Sequence, residues 1–290
     1  MRTTALFLTL ATAAGLAATA SGCGGDDNTG GGTALPVTPA QAADVAMVNA
    51  AADDTMYSAA ATDPFLFAAA LMATSVVPAT QTAQAASNAA TNVNKFYGPA
   101  GCATATSSGA TVTYVLNDCK GPISGASEKG SVAVTFTPQQ STEAEPVSFQ
   151  LQATGTAVQV GLLNVTINRQ GILTRRDTTR TLRITSDTST ATGPNGNVAV
   201  RESQGTLTWT IGATCATHNG ADSVTFGNTG LTAKYTNVIR CNGSCPQSGT
   251  VAVVDTNGAG VTLTYNGSAS VPFNTTAGTS GTIGIACGGK

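Results

Sequence analysis

Charged side chains are scarce in this sequence. Only 10% of its 290 residues are Asp, Glu, Lys or Arg, against about 25% in an ordinary soluble domain. Because 13 basic and 15 acidic residues give a formal net charge of -2, the chain has no general attraction for a phosphate backbone, and nucleic acid is excluded as an expected partner. Solubility must come mainly from threonine, serine and asparagine.

Residues that carry catalysis or bind metals are also few. His218 is the only histidine, whereas zinc needs several Cys or His ligands and a serine nucleophile needs a histidine held by a carboxylate. His218 lies in a turn-like stretch with Asn219 and Gly220, which predicts a solvent-exposed histidine, and Glu128 is expected in a loop. No nucleophile-elbow, dinucleotide-binding or phosphate-loop motif occurs. The sequence therefore predicts no catalytic residue, no metal and no cofactor.

One long apolar run opens the chain, and it is typical of a signal peptide. Residues 5–20 are apolar and lead into an Ala-Ser-Gly-Cys sequence that ends at Cys23. This ending resembles a bacterial lipobox. The resemblance implies that residues 1–22 are removed and that Cys23 carries diacylglycerol and an amide-linked acyl chain such as palmitate. The alternative is an ordinary signal peptide with a chance cysteine nearby.

A polar, glycine-rich segment, residues 23–37, follows and is expected to act as a flexible tether. Gly24 stands where an aspartate holds lipoproteins at the inner membrane of well-studied Gram-negative cells. The resemblance therefore implies the outer membrane of a Gram-negative bacterium, with the folded body facing the periplasm or the cell exterior. The first expected partner is the membrane itself, reached through the lipid.

Composition changes twice in the remaining chain. Residues 38–98 are rich in alanine, the strongest helix former, so we expect short helices near 38–61, 64–76 and 79–95. In residues 99–290 apolar residues alternate with threonine between Gly, Asn, Asp and Pro turn signals. The sequence thus predicts a mainly β fold, an antiparallel β-sandwich or curled meander of about ten to twelve strands preceded by short Ala-rich helices.

Six cysteines remain once Cys23 is set aside, an even number that suits an oxidising compartment. A succession of Cys-Ala-Thr, Cys-x-Gly and Gly-x-Val-Ala-Val occurs twice along the chain. If the two copies are structurally equivalent, the favoured disulfides are Cys102–Cys119, Cys215–Cys241 and Cys245–Cys287. One alternative pairing joins Cys241 to Cys245 and Cys215 to Cys287.

The C-terminal stretch carries a second resemblance. It contains Cys241-x-x-x-Cys245-Pro, then Val-Thr-Leu-Thr-Tyr-Asn-Gly, then Gly-Thr-Ile-Gly-Ile-Ala-Cys287. These motifs resemble the C-terminal part of secreted, β-rich bacterial lipoproteins that remain uncharacterised. Since the shared motifs are cysteines, turns and strands, the resemblance implies a fold and a location and brings no activity with it.

Arginine supplies the one concentration of charge, between residues 169 and 201. The cluster would suit an acidic polysaccharide or lipid headgroups, and the alternative is a solvated hairpin whose arginine stems cover apolar surface. A Thr/Asn-rich sheet face bearing Tyr114, Trp209 or Tyr235 would suit a glycan. The candidate binding residues are Arg175, Arg176, Arg180, Arg183 and Trp209.

These features together predict a lipid-anchored cell-envelope protein that is not an enzyme and has a structural or display role. The first alternative is a surface module that binds a glycan, a polymer or another envelope protein. The second is an envelope hydrolase with an unrecognised carboxylate site, which would need two carboxylates in one cleft.

Overall fold

The computed structural model describes residues 80–120, 127–139, 147–160, 163–192, 196, 198–210, 215–226, 229–241 and 244–285. The proposed signal peptide and tether, the helices expected near 38–61 and 64–76, Cys23 and Cys287 all lie outside these residues. Among the helices that are described, none has the length and apolarity that a membrane crossing requires.

The described chain forms two helices and then fourteen strands. The helices are α1 (Thr82–Thr91) and α2 (Val93–Phe96). The strands are β1 (Ala103–Ser108), β2 (Thr111–Cys119), β3 (Glu128–Gln139), β4 (Val147–Val160), β5 (Leu163–Arg176), β6 (Thr179–Asp187), β7 (Thr190–Thr192), β8 (Val198–Thr210), β9 (Cys215–Phe226), β10 (Thr229–Cys241), β11 (Ser248–Asp255), β12 (Gly260–Tyr265), β13 (Ser270–Thr275) and β14 (Ser280–Gly284).

All fourteen strands belong to one antiparallel sheet, so the mainly β prediction is confirmed and the meander is the form observed. Each strand pairs with the next along the chain, except that β6 pairs directly with β8, while the short β7 pairs with β5 and β8. The strand count exceeds the prediction of about ten to twelve. Strands as short as β7 contain too few residues to show a two-residue period.

In most of the longer strands, alternate residues are buried on one face of the sheet, which we call the inner face. In β2, for example, Val112, Tyr114 and Leu116 are buried. Helix α1 covers part of this face, because Ala85 and Ala89 are buried where α1 contacts β1, β2 and β3. The opposite, outer face carries most of the threonines, as the alternation predicts.

Two disulfides clasp the open ends of two hairpins. Cys102–Cys119 joins the residue before β1 to the end of β2, and Cys215–Cys241 joins the start of β9 to the end of β10. Both are pairs that the internal similarity predicts. Since Cys241 is bonded to Cys215, the alternative pairing with Cys245 is not formed. Cys245 is disulfide-bonded as well, and its predicted partner lies outside the described residues.

Candidate functional site

Several ionisable side chains lie on the inner face, among the apolar residues of the core. Charged groups are rarely buried unless they are paired, so these positions are the first candidates for a site. The buried charged residues of the described chain are Glu128, Arg169, Arg180, Asp187 and Asp222.

Arg169 and Asp187 form an ion pair inside the sheet. They stand directly opposite each other on β5 and β6, and 2.5 Å separates Arg169 Nη2 from Asp187 Oδ2. The second carboxylate oxygen, Oδ1, accepts hydrogen bonds from the backbone N–H (3.0 Å) and the hydroxyl (2.5 Å) of Ser189. Both oxygens of Asp187 are therefore engaged. Aspartate next to Ser and Thr near a strand end is typical of a turn, but Asp187 is the last residue of β6 and is buried.

Glu128 begins β3 and is fully buried, so the prediction that it lies in a loop is wrong. It stands opposite Cys119 on β2, and its charge acts on the nearby Tyr97. The pKa of Tyr97 is raised well above its usual value, first by burial and then by Glu128 and Tyr114. The polar sequence around Glu128 shows no two-residue alternation, which is why its burial was missed.

Tyr114 allows the burial of the group formed by Tyr97, Tyr114 and Glu128 to be tested. Its hydroxyl is buried and has no hydrogen-bond partner in the described structure, and burial raises its pKa. The phenol is therefore neutral in the folded state. Its titration does not affect the free energy of unfolding below pH 10, the ordinary tyrosine pKa, and lowers it progressively as the pH rises above that value.

We expect Tyr114→Phe to leave the free energy of unfolding at pH 7 unchanged or raised by up to about 1 kcal/mol, because no hydrogen bond is lost. Above pH 10 the variant should lose stability less steeply than the natural chain. Urea unfolding at pH 8 and near pH 11 measures both effects. A loss of more than about 2 kcal/mol at pH 8 would mean that the hydroxyl has a partner.

The five candidate binding residues fall on two opposite faces of the sheet. Arg175 and Arg180 are directly opposite each other on the inner face, and Trp209 on β8 is the next residue across the ladder. Arg176 and Arg183 have the other parity and are exposed on the outer face. Neighbouring strand residues point to opposite sides of a sheet, so Arg175, Arg180 and Trp209 share one face while Arg176 and Arg183 lie on the other.

Arg180 is held at the turn between β5 and β6. Its Nη1 donates hydrogen bonds to the carbonyl oxygens of Asp177 and Thr179, both at 2.9 Å. The pKa of Arg180 is lowered, mainly by burial and further by the charge of Arg175. Two like charges thus share the end of the inner face.

The aromatic residues proposed for glycan stacking are buried. Tyr114, Trp209 and Tyr235 are all less than 5% exposed, so none offers a ring face to a sugar in this structure. The hypothesis of a Thr/Asn-rich face that bears these rings is corrected, because most of the threonines lie on the outer face and the three rings lie on the inner face.

His218 is a strand residue, and its predicted place in a solvent-exposed turn is wrong. It lies half-buried on β9, and its ring stacks on Tyr235 with centroids 4.5 Å apart and planes at 27°. The Asn-Gly sequence that follows it continues the strand, because Gly220 faces Gly205 directly across the ladder. Neither backbone has a Cβ there, which allows the close approach.

Trp209 is the only tryptophan and reports directly on the inner face. At 4% exposure it should emit at shorter wavelength than a solvated indole and resist quenching by iodide. Unfolding the same sample in urea should shift the emission to longer wavelength and make it quenchable. Emission of the folded protein that iodide quenches as strongly as in urea would show that the indole is open to solvent.

The outer face presents polar side chains in cross-strand rows. Neighbouring strands of a sheet lie about 4.8 Å apart, so each row spaces its hydroxyl groups regularly. The clearest row runs across β5, β6, β8 and β9 through Thr174, Thr181, Thr208 and Thr217.

Within the described ranges, no group of three or more His, Cys, Asp or Glu residues could hold a metal ion.

Fold and site together define a disulfide-clasped antiparallel β-meander with charged groups set into its core. No protein-family model, curated protein or solved structure matches the chain.

Proposed function

We propose that the protein is a lipid-anchored lipoprotein of the cell envelope whose β-meander is a structural or display module without enzymatic activity. The observation that carries the proposal is the outer face, where threonines stand in register over four strands, from Thr174 to Thr217. This row of threonines is polar without being charged, which helps to keep an exposed sheet soluble. In the core below it, the carboxylate of Asp187 is held by Arg169 and Ser189.

The proposed location follows from the N-terminal sequence. The lipobox-like sequence ending at Cys23 supplies the lipid, Gly24 favours the outer membrane, and the tether over 23–37 lets the body stand off the bilayer. The two observed disulfides support an oxidising compartment, because such bonds form and persist outside the cytosol. A Gram-negative outer membrane satisfies all of these features.

Replacing Cys23 in the full-length chain tests the anchor. When the Cys23→Ser variant is expressed in a Gram-negative bacterium, we expect the protein to leave the membrane fraction. The matched variant Gly24→Asp keeps the cysteine and should remain membrane-bound but move to the inner-membrane fraction. If Cys23→Ser stays in the outer-membrane fraction to the same extent as the natural chain, the proposed anchor is wrong.

A second candidate function is the binding of a glycan or polymer by the outer-face row of Thr174, Thr181, Thr208 and Thr217. The regular spacing of its hydroxyl groups favours this candidate, since hydroxyl groups both donate and accept hydrogen bonds to sugars. We expect the double variant Thr181→Val, Thr208→Val to lose retention on envelope polysaccharide. The control variant Thr250→Val, Thr264→Val alters a directly opposed pair on β11 and β12 and should be retained normally. Equal retention of both variants would count against this candidate.

The hydrolase alternative receives less support from the described residues. A glycosidase needs two carboxylates facing one cleft, whereas Glu128 is enclosed in the core and Asp187 has both oxygens engaged. This alternative would regain support if the protein showed a hydrolytic activity that a single point variant abolished.

A further inference from the structure

We propose that Arg175 and Arg180, at the turn end of the β5–β6 hairpin, form a binding site for a phosphate group on the inner face of the sheet. This inference goes beyond the proposed function and does not depend on the lipid anchor. It rests on the register of the two arginines, on the way the Arg180 guanidinium is held, and on the charge of the hairpin.

The register places two like charges directly opposite each other. Arg175 on β5 pairs with Arg180 on β6, and such an arrangement destabilises an antiparallel ladder. The only acidic residue of this hairpin end, Asp177, is exposed at the turn. The lowered pKa of Arg180 has burial as its main cause and the charge of Arg175 as its second. An anion bound between the guanidinium groups would turn this repulsion into attraction.

The Arg180 guanidinium is already oriented for such a ligand. Both of its hydrogen bonds in the described structure leave from Nη1, to the carbonyl oxygens of Asp177 and Thr179. These bonds fix the plane of the group at the turn and leave Nε and Nη2 as donors. Trp209 stands beside it on β8 and is buried, so one side of the site is apolar. A partly desolvated site strengthens charge-assisted hydrogen bonds.

A phosphate group fits this arrangement better than a carboxylate. The side chains of directly opposed residues start about 5 Å apart on the same face, so both guanidinium groups are within reach of one anion bound between them. A phosphate monoester offers three acceptor oxygens and about 1.5 to 2 negative charges at pH 7. A carboxylate offers two oxygens and one charge, which satisfies one fork and leaves the second arginine without a counter-charge.

The same hairpin supplies its own control. Arg183 belongs to β6 like Arg180, but it is exposed on the outer face and stands opposite Ile172. Replacing Arg183 changes the net charge of the hairpin by the same amount as replacing Arg175 and leaves the inner face intact. A difference between these two variants therefore separates a defined site from general attraction of anions.

Isothermal titration calorimetry of the purified full-length chain with inorganic phosphate tests the proposal. We expect saturable binding, weakened about tenfold or more in Arg175→Gln and Arg180→Gln, because each loses a charge-assisted contact. Arg183→Gln should bind within about twofold of the natural chain. If Arg180→Gln fails to fold, as judged by the emission of Trp209, the half-exposed Arg175→Gln decides the question.

Titrations with glycerol phosphate and acetate identify the class of anion that the site binds and where it comes from. If glycerol phosphate binds more tightly than inorganic phosphate, the site is supported and its ligand is a phosphate ester such as a lipid headgroup. If inorganic phosphate binds more tightly, the site is supported and its ligand is free phosphate. Acetate that binds as tightly as phosphate overturns the assignment. The proposal also fails if no saturable heat is observed, or if Arg183→Gln weakens binding as much as Arg175→Gln.

Discussion

Replacing Arg169 with methionine is expected to lower the free energy of unfolding by about 3–5 kcal/mol, the cost of leaving a buried charge without its counter-ion. In the folded protein Asp187 accepts from Arg169 Nη2 and from Ser189, and both members of the ion pair are almost completely buried. The Arg169→Met variant keeps the length of the apolar stem and removes only the guanidinium. Urea unfolding followed by the fluorescence of Trp209 measures the difference.

The control removes both charges together. In the double variant Arg169→Met, Asp187→Leu no carboxylate is left opposite position 169 without a counter-ion, so most of the lost stability should return, as happens when buried ion pairs are replaced by apolar residues. A single variant that costs less than about 1 kcal/mol would contradict the buried position of this pair.

The second large effect is expected from Gly220→Ala. Gly220 has a φ of +154°, and a Cβ placed on it would come closer than 3 Å to Gly205 Cα and Gln204 O. Both contacts are with backbone atoms, which cannot rotate away as a side chain can. We expect a loss of about 3 kcal/mol or more, the sum of overpacking and of an unfavourable φ, measured by chemical or thermal unfolding.

Gly284→Ala is the matched comparison. Gly284 is also a strand glycine, at the end of β14, but a Cβ there would meet no atom within 4 Å. Its replacement should change the free energy of unfolding by no more than about 0.5 kcal/mol. If the two variants were equally stable, the close approach of β8 and β9 at Gly205 and Gly220 would be disproved.

Much of the fold follows from local sequence patterns. The alternation in β2 and in β12 predicts half-buried strands, and turn signals between such strands predict hairpins. The repeated cysteine pattern predicts the two observed clasps, Cys102–Cys119 and Cys215–Cys241. These features depend on residues close in sequence or on an internal comparison, so no knowledge of the tertiary structure is needed.

The buried charges were missed although a signal was present. In β5, Arg169 has the same parity as Ile167 and Leu173, and in β8 Trp209 has the same parity as Leu207. A strict count of parity would have placed both on the inner face. Charge and aromatic character were instead interpreted as signs of a binding surface.

Other features depend on strand register, which a single sequence does not determine. Arg175 and Arg180 meet only because the β5–β6 turn sets them opposite each other. His218 lies on a strand because Gly220 on β9 pairs with Gly205 on β8, and this pairing overrides the turn preference of Asn-Gly. In both cases the partner lies on another strand and cannot be read from the local sequence.

The proposal that fatty acyl chains on residue 23 hold this β-meander at a membrane can be tested directly. The most direct test is the intact mass and N-terminal sequence of the protein purified from membranes of the cells that make it. We expect a chain that begins at Cys23 and carries the added mass of a diacylglycerol and an acyl group. A chain that begins elsewhere, with no added lipid mass, would contradict it.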